Sequence, residues 1–288
     1  MVTKSKEVPT ATLLISCPDQ HGLVARVVNF IDANGGGIVH AAQHTDVDSS
    51  LFLQRVQFEL DSFKLKREEI APAFDKIAEE MNGSYTLHFS DRPKMAIWVS
   101  KQDHCLLDLL WRHRSGELPG EVVAIVSNHT TLQPIAQQYG ITFHHIPITK
   151  DTKIQQELKA LELMAEAGVE LIVLAKYMQI LSAENMARFP PTINIHHSFL
   201  PAFAGAKPYH RAHERGVKII GATGHYVTAD LDEGPIIEQD VTRISHKDSV
   251  SDLVRKGKDM ERLVLSRAVR FHLENRVLRY GNRTVVID

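Results

Sequence analysis

Three residues past the middle of the chain have the types and spacing for acyl chemistry. Asn194 and His196 lie two positions apart in Asn194-Ile-His-His-Ser-Phe-Leu-Pro-Ala-Phe-Ala-Gly205. The apolar run Pro191-Thr-Ile193 just before them predicts a buried strand. Asp232 follows 38 positions after Asn194, in the acidic loop Asp230-Leu-Asp-Glu-Gly-Pro235. Residues i and i+2 of a strand share a side, so the amide and the imidazole face the same way. Both can donate to an oxyanion formed at a carbonyl carbon, and one such donor is worth roughly 10²–10³ in rate. A carboxylate can position the attacking group and manage its proton. His225, in Gly224-His-Tyr-Val227, can pair with that carboxylate and hold its charge and orientation. None of this requires a metal. Singly, an Asn, a His or an Asp is more often a cap, a turn residue or a surface group. His225 alone reads equally well as a core histidine. The combination carries the expectation.

Two patterns of elements must position these groups. From residue 95 onward, short apolar strands at 95–99, 122–126, 142–146, 171–175 and 192–195 alternate with helical stretches near 103–114, 131–139, 153–167 and 183–188. That alternation predicts an α/β domain, a Rossmann-like doubly wound parallel sheet with helices on both faces. Ligands in such sheets bind outside the carboxyl ends of the strands, where Asn194 and His196 sit. Further strands are expected at 217–227 and 235–242, and a long helix at 249–272 packs across the sheet.

The first ninety residues have a different rhythm. A strand at 11–16 precedes a helix capped by Asp19, with Leu23, Val24, Val27, Val28 and Ile31 on one face and Asn34-Gly-Gly-Gly37 as its stop. A hairpin at 37–46 and 51–60, a charged helix at 66–81 and a strand at 84–89 complete a βαββαβ sandwich. The polar, proline-containing break Asp91-Arg-Pro-Lys94 marks the linker, so the expected domains are 1–90 and 95–288.

Bulk properties narrow the functions. With 288 residues and 43% apolar side chains, the chain can build two ordinary cores. A formal charge of −2 gives no reason to expect nucleic acid or an acidic membrane as partner. The two cysteines, Cys17 and Cys105, read as free thiols in a reducing compartment. Residues 1–10 lack the apolar core of a signal peptide, and no apolar run reaches the ~18 residues of a membrane span, so a cytoplasmic location is expected. His40/His44 and His210/His213 have spacings that bind metal on a helix, but the first pair falls on a predicted strand and neither has a carboxylate or thiol at ligand spacing. No metal is expected. Cys105 opens a helix, where a thiol can be activated, but nothing around it in sequence supports nucleophilic catalysis.

The motif Asn194-x-His196 with Ser198-Phe-Leu-Pro201-x-Phe203-x-Gly205, then Gly221-x-Thr223-x-His225, then Asp232-x-Gly234-x-Ile236-Ile237, resembles the formyltransferase fold that uses 10-formyltetrahydrofolate. The resemblance covers essentially all of residues 95–288. It implies that Asn194, His196 and Asp232 are the catalytic residues and that His225 supports them. It also implies that Leu174-Ala-Lys-Tyr-Met-Gln-Ile-Leu-Ser182, through Tyr177, Met178, Gln179, Ile180 and Leu181, encloses the pterin ring, and that Ser198 binds the folate with them. An apolar slot with backbone donors and acceptors at its rim suits a flat heteroaromatic ring. The plainer reading makes Met178, Ile180 and Leu181 core residues of a strand-to-helix junction.

The acceptor is read from the departures. Glycinamide ribonucleotide formyltransferases carry a Gly-rich turn after the first strand for a phosphate, since glycine lets backbone N–H groups approach the anion. Here that place reads Val99-Ser-Lys-Gln-Asp-His-Cys-Leu106, without glycine and with an aspartate. His197, where the transferases usually have Pro or Gly, and Val99-Ser-Lys-x-x-His104-Cys105-Leu106-x-Asp108 resemble the formyltetrahydrofolate deformylase family instead. In that family water is the acceptor, 10-formyltetrahydrofolate the substrate, and no cofactor is required. Ile15-Ser-Cys-Pro-Asp-Gln-His-Gly-Leu-Val-Ala-Arg26 is similar to the opening of ACT domains, which the deformylases carry. That likeness implies a homo-oligomer, a dimer or tetramer, with a small amino-acid effector such as glycine or methionine at Asp19, Gln20, His21, Gly22 and Leu23. The alternative is that the module only drives association. Lys207, His210 and Arg211, close to the motif, are candidates to meet the anionic tail of folate. Two other functions fit the same folds: a formyltransferase to a small amine, and a non-catalytic sensor, against which the intact Asn194, His196 and Asp232 argue.

Overall fold

The computed structural model describes residues 8–202 and 208–287. The chain divides into two units, Met1–Asp91 with Asn275–Asp288, and Arg92–Glu274. The expectation that residues 95–288 form one domain therefore needs correction at its carboxyl end.

The first unit runs β1 (Thr10–Pro18), α1 (Leu23–Ala33), β2 (Ile38–Asp46), β3 (Leu51–Glu59), α2 (Arg67–Glu80) and β4 (Ser84–Phe89). Its antiparallel sheet has the order β2-β3-β1-β4. Leu13 and Ile15 of β1, Val27 and Ile31 of α1, and Ile70 and Phe74 of α2 are buried together as one core. Asp19 does not cap α1. The helix starts from Gly22 at φ +84 with no side-chain cap, and the Asp19 backbone N–H is committed to the Ser50 carbonyl at 2.9 Å. The helix buries Leu23, Val27 and Ile31, while Val24 is exposed, so the core stripe is narrower than expected.

The carboxyl-terminal residues form a hairpin that periodicity did not reveal. It comprises β12 (Val277–Tyr280) and β13 (Arg283–Val286), numbered after the strands of the second unit. Leu278 and Ile287 pack against Leu53 of β3, and the Arg55 Nε donates to the Asn275 carbonyl at 2.9 Å. Phe52 through Val56 of β3 are consecutively buried, the polar Gln54 and Arg55 included. A half-solvated antiparallel strand alternates, so a continuous run means that something covers the second face.

The second unit contains β5 (Lys94–Val99), α3 (His104–Ser115), β6 (Glu121–Ser127), α4 (Gln133–Tyr139), β7 (Thr142–His145), α5 (Lys153–Glu166) and β8 (Leu171–Leu174). A 3-10 helix (Ala183–Arg188), β9 (Thr192–His196), α6 (Pro208–Arg215), β10 (Ile219–Tyr226), β11 (Ile236–Arg243) and α7 (Val250–Leu273) follow. The sheet order is β11-β10-β9-β8-β5-β6-β7. Strands β5 to β9 are parallel, but β10 pairs antiparallel with both β9 and β11, so the sheet is mixed rather than parallel throughout. The chain builds outward from β5 through β6 to β7, then returns through β8 to β9. The reversal between β5 and β8 is a topological switch point, where a crevice opens at the carboxyl ends of the strands. Helix α7, fixed at its start by the Ser249–Asp252 capping box, packs on β9, β10 and β11. Gly224 of β10 permits this approach, because a Cβ there would lie 2.9 Å from the Cβ of Ala268. Among the described residues, no helix is long and apolar enough to cross a membrane.

Candidate active site

Asn194 and His196 end β9 beside the switch point, and antiparallel pairing sets His225 of β10 opposite Asn194. Asp232 comes from the loop between β10 and β11. That loop is held tightly to β10: the Tyr226 N–H donates to the Pro235 carbonyl at 2.9 Å, and Asp232 itself adopts φ +58. Gly234 is obligatory, since a Cβ there would sit 1.8 Å from the Tyr226 carbonyl oxygen. The Gly234→Ala variant is therefore expected to be destabilised by about 1–3 kcal/mol or more and to lose most of its activity, as the loop must leave β10 and take Asp232 with it. Thermal melting alongside formate release measures both, and a variant with unchanged Tm and kcat would refute this tether.

The groups form one contiguous set. The Asp232 Oδ2 lies 3.0 Å from Nδ1 of His196, and its Oδ1 lies 3.6 Å from Nε2 of His225. Nδ1 of His225 donates to the Tyr226 carbonyl at 2.9 Å, and its Nε2 lies 3.2 Å from Nδ2 of Asn194. Burial opposes ionisation of Asp232, but hydrogen bonds from His196 and His225 outweigh it and hold the carboxyl well below the usual carboxylate range. His196 is 5% exposed, and its Nε2 has no hydrogen-bond partner among the described residues. A buried imidazole with one nitrogen committed to a carboxylate keeps the other for a ligand, and donates to it when the ring carries both protons.

His196 belongs to the lining of a pocket of about 300 Å³. Asn194, His196, His225 and Asp232 line it together with the segment from Tyr177 to Leu181 and the segment from Thr228 to Leu231. Met178, Ile180 and Leu231 expose apolar surface there. The first wall is pinned at both ends. The Met178 N–H donates to Oγ of Ser100 at 2.9 Å, and the buried Glu157 carboxylate accepts from the Ser182 N–H at 3.1 Å, the Ser182 hydroxyl and Nδ2 of Asn185. Tyr177 is largely core, edge-on to Trp98 at 5.3 Å.

Ser198 is not part of the pocket lining, contrary to the sequence expectation. It is buried, its hydroxyl donates to the Ala202 carbonyl at 2.7 Å, and it lines a smaller, separate cavity. The strand alternation that aims Asn194 and His196 together ends at His196, so it cannot be extended to Ser198. Phe203, Gly205 and Lys207 lie outside the described residues, and His210 and Arg211 are exposed on α6 and not among the pocket residues. Of the turn before α1, Asp19, Gln20, His21 and Gly22 are exposed. Leu23 is buried in the core, so its side chain is not available to a ligand.

Sequence reasoning missed a buried cluster behind the pocket. Glu261 of α7 is 2% exposed and meets Nε2 of His104 at 2.7 Å, the Tyr209 hydroxyl at 2.7 Å and Nζ of Lys176 at 3.3 Å. Burial works against its charge, but His104, Lys176 and Tyr209 hold the carboxyl well below the usual range. Gly257, one turn earlier, makes room, since a Cβ there would meet the Tyr209 hydroxyl at 2.0 Å. The available signal was an acidic residue on the apolar stripe of α7, four positions after that glycine. His104, Cys105 and Glu261 bring potential ligand atoms within 4.8 Å of one another. A divalent ion there would face the Lys176 ammonium already paired with the same carboxylate, so the donor set does not suit a metal. Burial, reinforced by Glu261, pushes the Cys105 thiol well up, which removes it as a nucleophile.

Residues 93–269 match the family model described as formyl transferase, so fold and site together define a catalytic unit of the formyltransferase class. The formyltetrahydrofolate deformylase of Synechocystis sp. is 61% identical over 278 residues, 96% of this chain and 98% of that protein. The chain belongs to the formyltetrahydrofolate deformylase family. The crystal structure of a formyltetrahydrofolate deformylase from Pseudomonas syringae superposes with a TM-score of 0.95 at 42% identity, over 99% of this chain and 96% of that one. A glycinamide ribonucleotide transformylase from Symbiobacterium toebii aligns at 30% identity with a TM-score of 0.65, over 98% of its own chain but only 70% of this one.

Proposed function

We propose that this chain hydrolyses 10-formyltetrahydrofolate to tetrahydrofolate and formate, using Asn194, His196 and Asp232 as its catalytic residues and His225 as their support. The observation that carries the reading is the extent of the likeness. Deformylases match the chain over nearly its whole length, whereas the transformylase that fits the catalytic unit leaves about a third of the chain unmatched. The amine-transferring alternative has no comparable support.

In this reaction a water oxygen bonds to the formyl carbon, and the carbonyl electrons move onto its oxygen. Nε2–H of His196 and the amide of Asn194 donate to that oxyanion, each contributing roughly 10²–10³. Asp232 orients the water and accepts its proton, and His196 beside it hands a proton on. The C–N10 bond then breaks, the proton passes from the pair to N10, and formate leaves. The apolar wall at Met178 and Ile180 receives the pterin ring. These side chains perform the chemistry without a cofactor.

The first unit is read as an ACT-like regulatory module, supported by its βαββαβ order and by the exposed turn at Asp19, Gln20, His21 and Gly22. An effector such as glycine or methionine would meet that turn in a dimer or tetramer of a cytoplasmic enzyme.

Purified protein supplied with 10-formyltetrahydrofolate and a chelator, without any amine, is expected to release formate and tetrahydrofolate in equal amounts. Formate or transfer product that appears only after an amine is added would make the chain a transferase.

A further inference from the structure

Lys176 is an unusual residue for its place. It follows β8 at φ +64, a backbone conformation that glycine adopts freely and a long side chain adopts only with strain. It is also 6% exposed, and its ammonium faces inward. Nζ lies 3.3 Å from Oε2 of Glu261 and 3.4 Å from Nδ1 of His197. Strain retained at a buried charge beside an active site points to a task.

The chemistry of the two contacts fixes the state of His197. Paired with Glu261, the lysine presents an ammonium, which has donors only. The atom facing it, Nδ1 of His197, must therefore be the acceptor. The His197 ring is then neutral and carries its proton on Nε2. That ring stacks on His196, with centroids 4.9 Å apart and planes inclined by 19°. Two imidazoles so close compete for protons, since a charge on one opposes a charge on the other. The groups facing His197 come from five places: Lys176 after β8, His196 on β9, Asp232 in the β10–β11 loop, Tyr209 on α6 and Glu261 on α7. Burial, the lysine and His196 act against a charge on His197 and prevail over the two carboxylates, taking its pKa down to about 4.

We propose that Lys176 is a positioning residue for His196: its ammonium fixes His197 as the neutral Nε2–H tautomer, so that His196 is the only ring of the stack that takes up and returns a proton. Glu261, braced by His104 and Tyr209, is the counter-charge that keeps the ammonium in place. The inference rests on the proton-handling role given to His196 above.

Two measurements test it. Nitrogen NMR of the full-length wild-type protein, with His197 assigned by comparison with His197→Gln, reads the ring directly and needs no turnover. At about pH 5.5 His197 is expected to be neutral with Nδ1 unprotonated. An imidazolium, or a proton on Nδ1, overturns the proposal. The second measurement is the pH dependence of kcat/KM. In Lys176→Met the lysine no longer opposes a charge on His197 while burial still does, so the His197 pKa rises from its lowered value and the acid limb of kcat/KM is expected to move to higher pH than in the wild type. In Lys176→Met combined with His197→Gln the limb is expected to return to its wild-type position. An acid limb that does not move, or that moves equally without His197, overturns the coupling. If Lys176→Met does not fold, the NMR arm on the wild type still decides. Formate release with the wrong His197 state defeats this proposal alone, whereas the expected state without formate release defeats the hydrolase reading.

Discussion

Replacing Asp232 with asparagine is expected to lower kcat for formate release about 10³-fold with little change in KM. The substitution keeps the size of the side chain but removes the charge that opposes His196 at 3.0 Å and His225 at 3.6 Å. Without the carboxylate no group next to the attacking water can accept its proton, and general base catalysis of this kind is worth about 10²–10⁴. An amide also lacks the negative charge that lets His196 carry protons on both ring nitrogens while Nε2 faces the oxyanion. The pH dependence follows from the same geometry. The folded carboxyl is held well below its usual range, so Asp232 stays ionised throughout the mildly acidic range and does not set an acid limb there. Any stabilisation its charge gives the fold is present above the ordinary carboxylate pKa near ~4 and is lost only as pH falls toward the depressed value. Single-turnover formate release at saturating folate checks the prediction. An Asp232→Asn variant within a few-fold of wild type would remove Asp232 from the mechanism.

Replacing His196 with glutamine is expected to cost about 10²–10³ in kcat, again with KM nearly unchanged. Nε2 of His196 is buried without a partner among the described residues, and His196 lines the pocket proposed to receive the formyl group. Its hydrogen bond gains strength as charge develops on the formyl oxygen, so its loss appears in kcat rather than in binding. Glutamine can still meet Asp232 but cannot hold one nitrogen on the carboxylate and offer a second donor in line with it. Because Asp232 and His196 act as a pair, the double variant should lose little more than the worse single variant. Fully additive losses would show that the two residues act separately. Isothermal titration with a non-hydrolysable folate separates the two effects, since affinity should hold while turnover falls.

Much of the catalytic unit is legible in the sequence because its constraints are local. A short apolar strand ending in Asn194-x-His196 places two donors on one side by strand periodicity alone. Gly234 marks a backbone approach that no other residue tolerates, so the loop bearing Asp232 announces itself. The βαββαβ order of the first unit and the β-helix alternation of the second follow from the spacing of apolar residues. Local signals mislead where a competing contact wins. Asp19 has the chemistry of a cap, but its backbone is held by Ser50 and α1 starts later, at Gly22. Ser198 belongs to the motif, but past the end of β9 the chain turns and spends its hydroxyl on Ala202.

The sequence by itself therefore determined the order of most elements as far as α7, the strand end that carries Asn194 and His196, and the loop that carries Asp232. Tertiary structure alone decided three things. It reversed β10, which brings His225 beside Asn194. It returned the terminal hairpin to cover Leu53 of the first unit. It gathered Lys176, His197, His104, Tyr209 and Glu261 behind the pocket. Each of these joins residues tens to hundreds of positions apart, and periodicity reports only which face of its own element a residue occupies. A buried charge such as Glu261 or Lys176 reads as a misplaced surface residue until the fold supplies its partner, because only the partner makes its burial tolerable.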